Sequence, residues 1–260
     1  WRDTRHPQGG GSETYLERVG AELARRGMRV TYLTSSYPGA LRREERDGMR
    51  FFRAGGRITV YPRVLAMLAA GRRGLGPLAG IDPLAVVDTQ NGIPFFATLV
   101  VSAPTVVLVH HCHREQWPVA GRLLGKLGWF LESRVSPRVH RHNRYVTVSA
   151  PSARELVQLG VDSDRITVVH NGIDPVPAGV AVEQRGERDV AKLCVLSRLV
   201  PHKQVEDALE ILAGLHREGS RAVHLDIIGD GWWSSRLRAS AHELGVDELV
   251  TFHGLSLIHI

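Results

Sequence analysis

The sequence predicts an α/β protein built from two parallel-sheet domains. Short β-rich segments alternate with segments of helical periodicity along the chain, which is the pattern of parallel sheets covered by helices. Residues 175–188 interrupt this alternation with proline, glycine, valine and charged residues, a composition typical of a linker. We therefore expect a first domain over residues 1–178 and a second over residues 188–260.

The individual elements follow from apolar spacing and turn residues. Leu16, Val19 and Leu23 recur at helical spacing before Gly27, which predicts a helix over residues 13–26. Further helices are predicted at residues 64–70, 94–101, 121–135, 150–159, 204–217 and 234–244. Strands are predicted at residues 28–34, 49–53, 84–88, 105–109, 145–149, 166–169, 191–197, 224–228 and 249–252.

The helix predicted over residues 121–135 is apolar on one face, which carries Leu123, Leu124, Leu127 and Leu131. Trp129 and Phe130 lie in the same helix. We expect this aromatic pair to pack in the core.

The amino-acid composition and net charge limit the classes of protein to which the chain can belong. The chain has 260 residues, of which 43% are hydrophobic, enough for a substantial core, and no apolar run reaches the ~20 residues of a membrane-spanning helix. The net charge of +6 is spread over many predicted helices rather than along one stripe, so phosphorylated small molecules or an anionic membrane fit as well as nucleic acid, and a solvated basic surface is the alternative. We expect a cytoplasmic protein that binds no nucleic acid.

A peripheral contact with the inner membrane face is suggested by Arg72 and Arg73, which follow the apolar segment 64–70. A solvated helix end is the alternative interpretation. Both chain ends are expected to be truncated, because the first glycine-rich loop lacks a preceding strand and residues 255–260 follow the last strand without a covering helix.

Two groups of residues could bind phosphate. Gly10 and Gly11 open the first helix, where bare backbone and the helix dipole favour an anion such as a diphosphate. Arg198 and Lys203 follow a predicted strand, and their cations could neutralise a leaving diphosphate. A flexible capped loop and ordinary surface cations are the respective alternatives.

Turn residues after other strands are candidates for lining a substrate cleft, although each could be a simple tight turn. They are Asn91, Asn171, Gly172, Gly229, Asp230 and Gly231.

Histidines follow the strand predicted at residues 105–109. We do not expect a metal site at residues 110–113, because neighbours in an extended segment point in opposite directions and no second His or Cys pair has zinc spacing. One histidine at the floor of the cleft can instead donate a hydrogen bond to a substrate hydroxyl. Residues 114–117 are expected to shape the acceptor side.

Taken in order, these motifs resemble those of glycosyltransferase family 4, the retaining transferases of GT-B fold. The resemblance covers nearly the whole chain and is carried by residues 10–13, His110, residues 170–174, residues 196–200 with Lys203, residues 229–231 and residues 250–254. It implies a GT-B fold of two facing Rossmann-like domains, the second one truncated. It also implies transfer of a hexose from a nucleotide diphosphate sugar to an acceptor hydroxyl, with retention at the anomeric carbon.

The resemblance assigns roles to individual positions. Arg198 and Lys203 match the family's diphosphate-binding pair, Gly10 and Gly11 match the loop facing it, and His110 matches the histidine near the reacting sugar, with His111 as the alternative. It implies no metal cofactor and leaves the acceptor open, a lipid-linked alcohol being one option. The family's pair of glutamates would lie beyond residue 260, so we expect this chain by itself to be inactive.

Three other functions are alternatives. A nucleotide-sugar 2-epimerase shares the fold but needs proton-transfer groups at the sugar. A non-catalytic glycosyltransferase-like binding protein would not need Arg198, Lys203 and His110 together. A dinucleotide oxidoreductase is disfavoured, because the first glycine loop lacks the G-x-G-x-x-G spacing.

Overall fold

The computed structural model describes residues 1–7, 9–175, 190–219 and 222–254. The chain divides into two compact units, Trp1–Asp174 and Pro175–Ile260. The interior of the predicted linker, the predicted domain limits at residues 178 and 188, and residues 255–260 lie outside the described residues. The predicted α/β class with parallel sheets is confirmed.

The first unit contains two sheets. Its strands are β1 (Val30–Thr34), β2 (Arg43–Arg46), β3 (Met49–Arg53), β4 (Val86–Gln90), β5 (Thr105–Val109), β6 (Arg144–Thr147) and β7 (Ile166–Val168). One sheet has the order β1-β3-β2 and the other the order β4-β5-β6-β7, which is parallel throughout. The helices are α1 (Gly11–Arg25), α2 (Val60–Arg72), α3 (Arg122–Phe130), α4 (Ser136–Val139) and α5 (Ala150–Gln158).

β2 was not predicted from the sequence. It pairs antiparallel with β3 through the turn at Asp47 and Gly48, both of which have positive φ angles of 50° and 73°. Asp-Gly is a preferred pair for such a two-residue hairpin turn. The edge of this sheet is therefore antiparallel.

The helix predicted over residues 94–101 is wrong, since only a short 3₁₀ turn forms at Ala97–Leu99. The buried carboxylate of Asp88 accepts hydrogen bonds from the backbone N–H groups of Phe95 and Ala97, both at 2.8 Å. Phe96 between them adopts a left-handed φ of 58°. These contacts hold the segment in a loop, because a residue in this conformation interrupts the helical hydrogen-bond pattern.

The membrane contact suggested by Arg72 and Arg73 at the end of α2 stays a prediction. Val64 is 4% exposed and packs with Val60 and Phe95, so this side of the helix faces the protein. Arg73 donates from its guanidinium to the carbonyl of Ala69 at 3.2 Å and thereby caps the helix end. The alternative of a solvated helix end fits these contacts.

The helix predicted over residues 121–135 divides into α3 and a π-helical turn, Leu131–Val135. Its buried positions are Gly125 and Gly128, whereas Leu123 and Phe130 are 86% and 54% exposed. The expected core packing of Phe130 is therefore wrong. The cause is Trp117, whose backbone and indole ring fill the space beside the two glycines.

We expect Gly128→Ala to destabilise the protein. A methyl group at Gly128 would lie 2.2 Å from the Trp117 ring, so the ring must shift, at a cost of about 1–3 kcal/mol in the free energy of unfolding. Gly214→Ala is the matched control, because this helical glycine has no atom within 4 Å of the added methyl and the change should stabilise by about 0.5–1 kcal/mol. Urea unfolding measures both, and equal stabilities of the two variants would contradict the packing argument.

In its described residues, the second unit is a three-stranded parallel sheet covered by two helices. Its elements are β8 (Ala191–Leu196), α6 (Val205–Arg217), β9 (Val223–Ile228), α7 (Ser234–Glu243) and β10 (Val250–Gly254), with the strand order β10-β9-β8. Its core is formed by Leu199, Val205, Leu209, Leu212, Leu225, Ile227 and Leu237. Every strand ends at the same edge of the sheet, which places the loops after β8 and β9 side by side.

None of the helices in the described ranges combines the length and the apolar character needed to cross a bilayer.

Candidate functional site

The site in the first unit forms where the parallel strands β4 and β5 end. Asn91 follows β4 and His110 follows β5, and these strands are paired along their length. Because carboxyl ends of parallel strands share one edge, the two loops meet there. The N-terminus of α1 lies at the same place, since the Asn91 side-chain amide donates to Ser12 Oγ at 3.4 Å.

Backbone N–H groups in the first turn of α1 are available to bind a ligand. A methyl group built on Gly11 would meet no atom within 4 Å, so the backbone is open on that side. The N–H of Gly10, in contrast, donates to the carboxylate of Glu13 at 2.9 Å. The amides of the first helical turn, beginning at Gly11, are thus the groups that can meet an anion.

His110 lies against this helix start. Its ring contacts Tyr15 edge-on with 5.1 Å between ring centroids, and its backbone carbonyl accepts from Ser152 Oγ at 3.0 Å. Desolvation lowers the pKa of His110 despite the negative charge of Glu13. The ring is therefore neutral at pH 7. Its Nε2 is enclosed and has no hydrogen-bond partner in the part of the chain that the structure describes.

His111 lies in a different environment from His110. Its ring centroid is 4.2 Å from that of His113, and its Nε2 lies 2.9 Å from the side-chain nitrogen of Gln116. Desolvation, followed by the charge of His113, lowers the pKa of His111 to about 4. Of the two candidate histidines, His110 is the one that contacts α1.

A residue not identified from the sequence organises this loop. Glu132 is fully buried and its Oε1 accepts from the backbone N–H of His113 at 3.0 Å, while its Oε2 accepts from Trp117 Nε1 at 2.5 Å. His113 Nδ1 lies 3.3 Å from the same carboxylate and His113 Nε2 lies 2.8 Å from Asn91 Oδ1. We call residues 110–113, which follow β5, the histidine loop. Glu132 therefore links the histidine loop to the turn after β4.

The π-helical turn at Leu131–Val135 presents this carboxylate inward. Such turns often occur at functional sites, because the extra residue re-aims a side chain. The sequence contains one signal that could have identified Glu132. Between positions 116 and 161 the acidic residues are Glu132 and Glu155.

Asn171 and Gly172 follow β7 at the other side of the same sheet and are exposed. The adjacent residue Asp174 forms an ion pair with Arg18 of α1. This pair directs the segment after β7 towards α1. Neither Asn171 nor Gly172 is connected to His110 or Asn91 by a hydrogen bond among the described residues.

In the second unit, Arg198 and Lys203 lie in the loop after β8 and are exposed. Lys203 belongs to a 3₁₀ turn at Pro201–Lys203 that leads into α6. Within the described ranges neither side chain forms an ion pair, so both positive charges are available to an anionic ligand.

The residues Gly229, Asp230 and Gly231 form the neighbouring loop after β9. The N–H of Gly229 donates to the carbonyl of Gly254 at 2.9 Å, and that of Gly231 to Asp230 Oδ1 at 2.7 Å. A methyl group at Gly229 would lie 1.9 Å from the carbonyl oxygen of Ser197. Glycine is therefore required here for close contact with the loop that carries Arg198.

The described residues contain no cluster of three or more His, Cys, Asp or Glu side chains suited to a metal ion. Burial raises the pKa of the Cys112 thiol to about 12. This cysteine is consequently protonated at neutral pH and is a poor nucleophile or metal ligand.

The chain is similar in sequence to known proteins. Residues 9–176 match the model of Glycosyltransferase Family 4. The chain is 28% identical over 265 residues to the GDP-mannose-dependent alpha-(1-6)-phosphatidylinositol monomannoside mannosyltransferase of Mycobacterium tuberculosis, with 95% of this chain aligned. The chain spans 64% of the length of that relative.

Two solved structures share the fold. WaaG, a glycosyltransferase involved in lipopolysaccharide biosynthesis, superposes with a TM-score of 0.61 at 17% identity, covering 94% of this chain and 66% of WaaG. HepE from Anabaena, in complex with UDP-glucose, gives a TM-score of 0.58 at 17% identity, covering 95% of this chain and 66% of HepE. These likenesses identify the fold as GT-B, as predicted.

Proposed function

Since the chain belongs to glycosyltransferase family 4, we propose that the protein transfers a hexose from a nucleotide diphosphate sugar to an acceptor hydroxyl, with retention of anomeric configuration. The observation that supports this most is the position of His110, a neutral histidine with an enclosed, unpartnered Nε2 beside the glycine-rich start of α1. A neutral ring can hydrogen-bond a sugar hydroxyl without a charge.

Arg198 and Lys203 of the second unit are proposed to bind the donor diphosphate. Within the first unit, the backbone amides that begin at Gly11 are proposed as anion-binding groups. A guanidinium offers paired donors to phosphate oxygens and an ammonium offers a compact charge. Both stabilise the negative charge that grows on the leaving group. With two cations in this role, the reaction is proposed to need no metal ion.

The chemical step is proposed to occur on one face of the sugar. The bond between C1 and the phosphate oxygen breaks, the acceptor oxygen forms a bond to C1, and the acceptor proton passes to the departing phosphate oxygen. Retention follows, because the nucleophile enters on the face that the leaving group vacates. His110 orients the sugar and takes no proton.

The acceptor is proposed to be lipid-linked. The mycobacterial relative is named for GDP-mannose as donor and a phosphatidylinositol monomannoside as acceptor. We extend to this chain the general classes, a nucleotide-activated hexose and an alcohol on a membrane lipid, with GDP-mannose as the first donor to test. Such an acceptor requires at least peripheral contact with a membrane.

We expect the first product formed to have the anomeric configuration of the donor. Proton NMR of the initial product, made by the full-length natural protein that carries this chain, measures the anomeric coupling. An inverted coupling would exclude the proposed mechanism. Incubation with donor but without acceptor is the control, and formation of an epimerised nucleotide sugar would instead support the 2-epimerase alternative.

A further inference from the structure

Trp232 presents an aromatic ring to solvent at the sheet edge that carries Arg198 and Lys203. It is 65% exposed and follows Gly231 directly in the loop after β9. The neighbouring Trp233, in contrast, packs against the core of the second unit. Tryptophan is highly buried on average, because its indole ring is large and mostly apolar. An exposed indole beside two free cations is therefore a candidate contact for a ligand.

The loops after β8 and β9 are joined by their backbones. Three hydrogen bonds connect them, from the N–H groups of Ser197, Leu199 and Trp233 to the carbonyls of Ile228, Asp230 and Leu199, at 3.1, 3.0 and 3.2 Å. Arg198 lies between the first two of these bonds in the chain, and Trp232 directly precedes the third. The cation and the ring are therefore carried by one connected pair of loops.

Glycines make this close contact between the loops possible. A methyl group at Gly231 would lie 2.1 Å from the carbonyl oxygen of Leu199, and the same close approach occurs between Gly229 and Ser197. A side chain at either glycine would separate the two loops. The position of Trp232 relative to the loop of Arg198 is thus set by backbone contact.

The ring of Trp232 is held by its neighbour. The ring centroids of Trp232 and Trp233 are 5.2 Å apart and their planes are inclined by 79°, an edge-to-face pair that aromatic rings favour. The indole N–H of Trp233 in turn donates to the carboxylate of Glu206 on α6. Trp232 therefore presents its exposed surface from a supported position.

A cation and an aromatic plane on the same loops select a ligand that carries both phosphate and a flat ring. Arg198 and Lys203 suit the phosphates. Asp230, the acidic residue of these loops, turns its Oδ1 to the backbone N–H of Gly231 at 2.7 Å. A nucleobase stacks on an indole whatever its identity, because every base has a π face. A nucleoside diphosphate combines the two chemical features.

We propose that Trp232 is a binding residue that stacks on the nucleobase of a nucleoside diphosphate, while Arg198 and Lys203 contact its phosphates. The contact supplies affinity for the nucleotide and little choice between bases, since stacking tolerates all of them. This inference rests on the proposed function only in taking the nucleotide to be that of the sugar donor.

Calorimetric titration of the chain as it stands tests the stacking, with GDP and inorganic pyrophosphate as the two probes. Trp232→Ala should weaken GDP binding about tenfold, because the base loses its stacking partner. It should leave pyrophosphate binding unchanged, because pyrophosphate has no base. Trp232→Phe should keep GDP affinity within about threefold, whereas Trp232→Leu should lose as much as Trp232→Ala, since leucine is apolar but has no ring.

Fluorescence gives a signature of the contact itself. GDP should quench the tryptophan emission of the wild type, and Trp232→Phe should lose most of this change while still binding GDP. Ile211→Ala is the matched control, because Ile211 is an apolar residue of the same unit that is 59% exposed on α6. This control should bind both probes as the wild type does. Thermal unfolding of every variant verifies that loss of binding is not loss of fold.

Several outcomes would overturn the proposal. Equal losses for GDP and pyrophosphate in folded Trp232→Ala would mean that Trp232 shapes the phosphate loop and contacts no base. A loss for GDP-mannose but not for GDP would place the ring against the sugar. Unchanged GDP affinity in Trp232→Ala, or no binding of GDP by the wild type, would also overturn it.

Kinetics separate this inference from the proposed function. In the full-length natural protein, Trp232→Ala should raise KM for GDP-mannose about tenfold with little change in kcat, because the base is held equally in the ground state and the transition state. A fall in kcat at unchanged KM would contradict the binding role. If the wild type transferred no sugar but its GDP binding still depended on Trp232, the proposed function would fail and the stacking would stand.

Discussion

Replacing Arg198 or Lys203 with alanine is expected to lower the turnover of the full-length natural protein about 30- to 1000-fold. Each cation faces charge that develops on the leaving diphosphate, and one such interaction contributes about 2–4 kcal/mol to the transition state. Both side chains are exposed and form no ion pair within the described ranges, so folding should change by less than about 0.5 kcal/mol. Steady-state kinetics and urea unfolding give the two quantities.

Arg217→Ala is the matched control for these cations. Arg217 is an exposed arginine of the same unit, and it ends α6, about 18 Å along the helix from Val205. Its guanidinium donates to the carbonyl of Ala213 at 3.3 Å. Turnover should be unchanged by this substitution. Near wild-type rates for both the Arg198 and the Lys203 variant would remove the diphosphate assignment.

Elements whose hydrogen bonds are local or whose side chains enter the core follow well from the sequence. α1 begins at Gly11 and ends at Arg25, against a predicted range of 13–26, because the apolar spacing and the terminal glycine act within the helix itself. β5 occupies Thr105–Val109 as predicted, since its β-branched residues fill the centre of a sheet.

The errors arise where distant groups override local preference. The loop at residues 94–101 exists because Asp88, on the preceding strand, accepts the backbone N–H groups of Phe95 and Ala97, and Phe96 between them has a left-handed φ that a helix does not allow. α3 buries glycines because Trp117 reaches them from outside the helix. Neither contact leaves a periodic signal, so spacing alone predicts a helix in the first case and a buried leucine face in the second.

The residues of the candidate site likewise fall into those that the sequence predicts and one, Glu132, that it does not. Glycine turns and charged residues at strand ends are recognisable, since the carboxyl edge of a parallel sheet is where such residues can meet a ligand. The order of the strands then brings Asn91 and His110 together. Glu132 lies in a helix and acts through its buried carboxylate, and only the tertiary structure reveals which donors it accepts.

Glu132→Gln is expected to lower turnover of the full-length natural protein about 100-fold with little change in KM for the donor. The carboxylate accepts from the His113 backbone and from Trp117, and an amide of the same size can satisfy only one of these donors with its single oxygen. The loop that carries His110 should shift, and a misplacement of about 1 Å at a reacting group costs roughly 10²-fold in rate. Because Glu132 is fully buried and its carboxylate is held by the His113 backbone and Trp117, we expect it to act as a positioning residue.

The experiment on Glu132→Gln must separate an effect on the position of the histidine loop from an effect on the stability of the protein. Leaving one buried donor unpaired should cost about 1–3 kcal/mol in the free energy of unfolding. Turnover is therefore expressed per folded molecule, and urea unfolding of the same sample gives the folded fraction. Glu155→Gln is the matched control, because the exposed Glu155 carboxylate lies 3.4 Å from the backbone N–H of Cys112 in the same loop. That variant should keep turnover within about twofold, since an exposed contact of this length contributes little. If the turnover of Glu132→Gln per folded molecule equalled that of the wild type, the carboxylate would serve stability alone. A lower kcat at unchanged KM would instead show that the buried pair of Glu132 and His113 holds the geometry of the histidine loop.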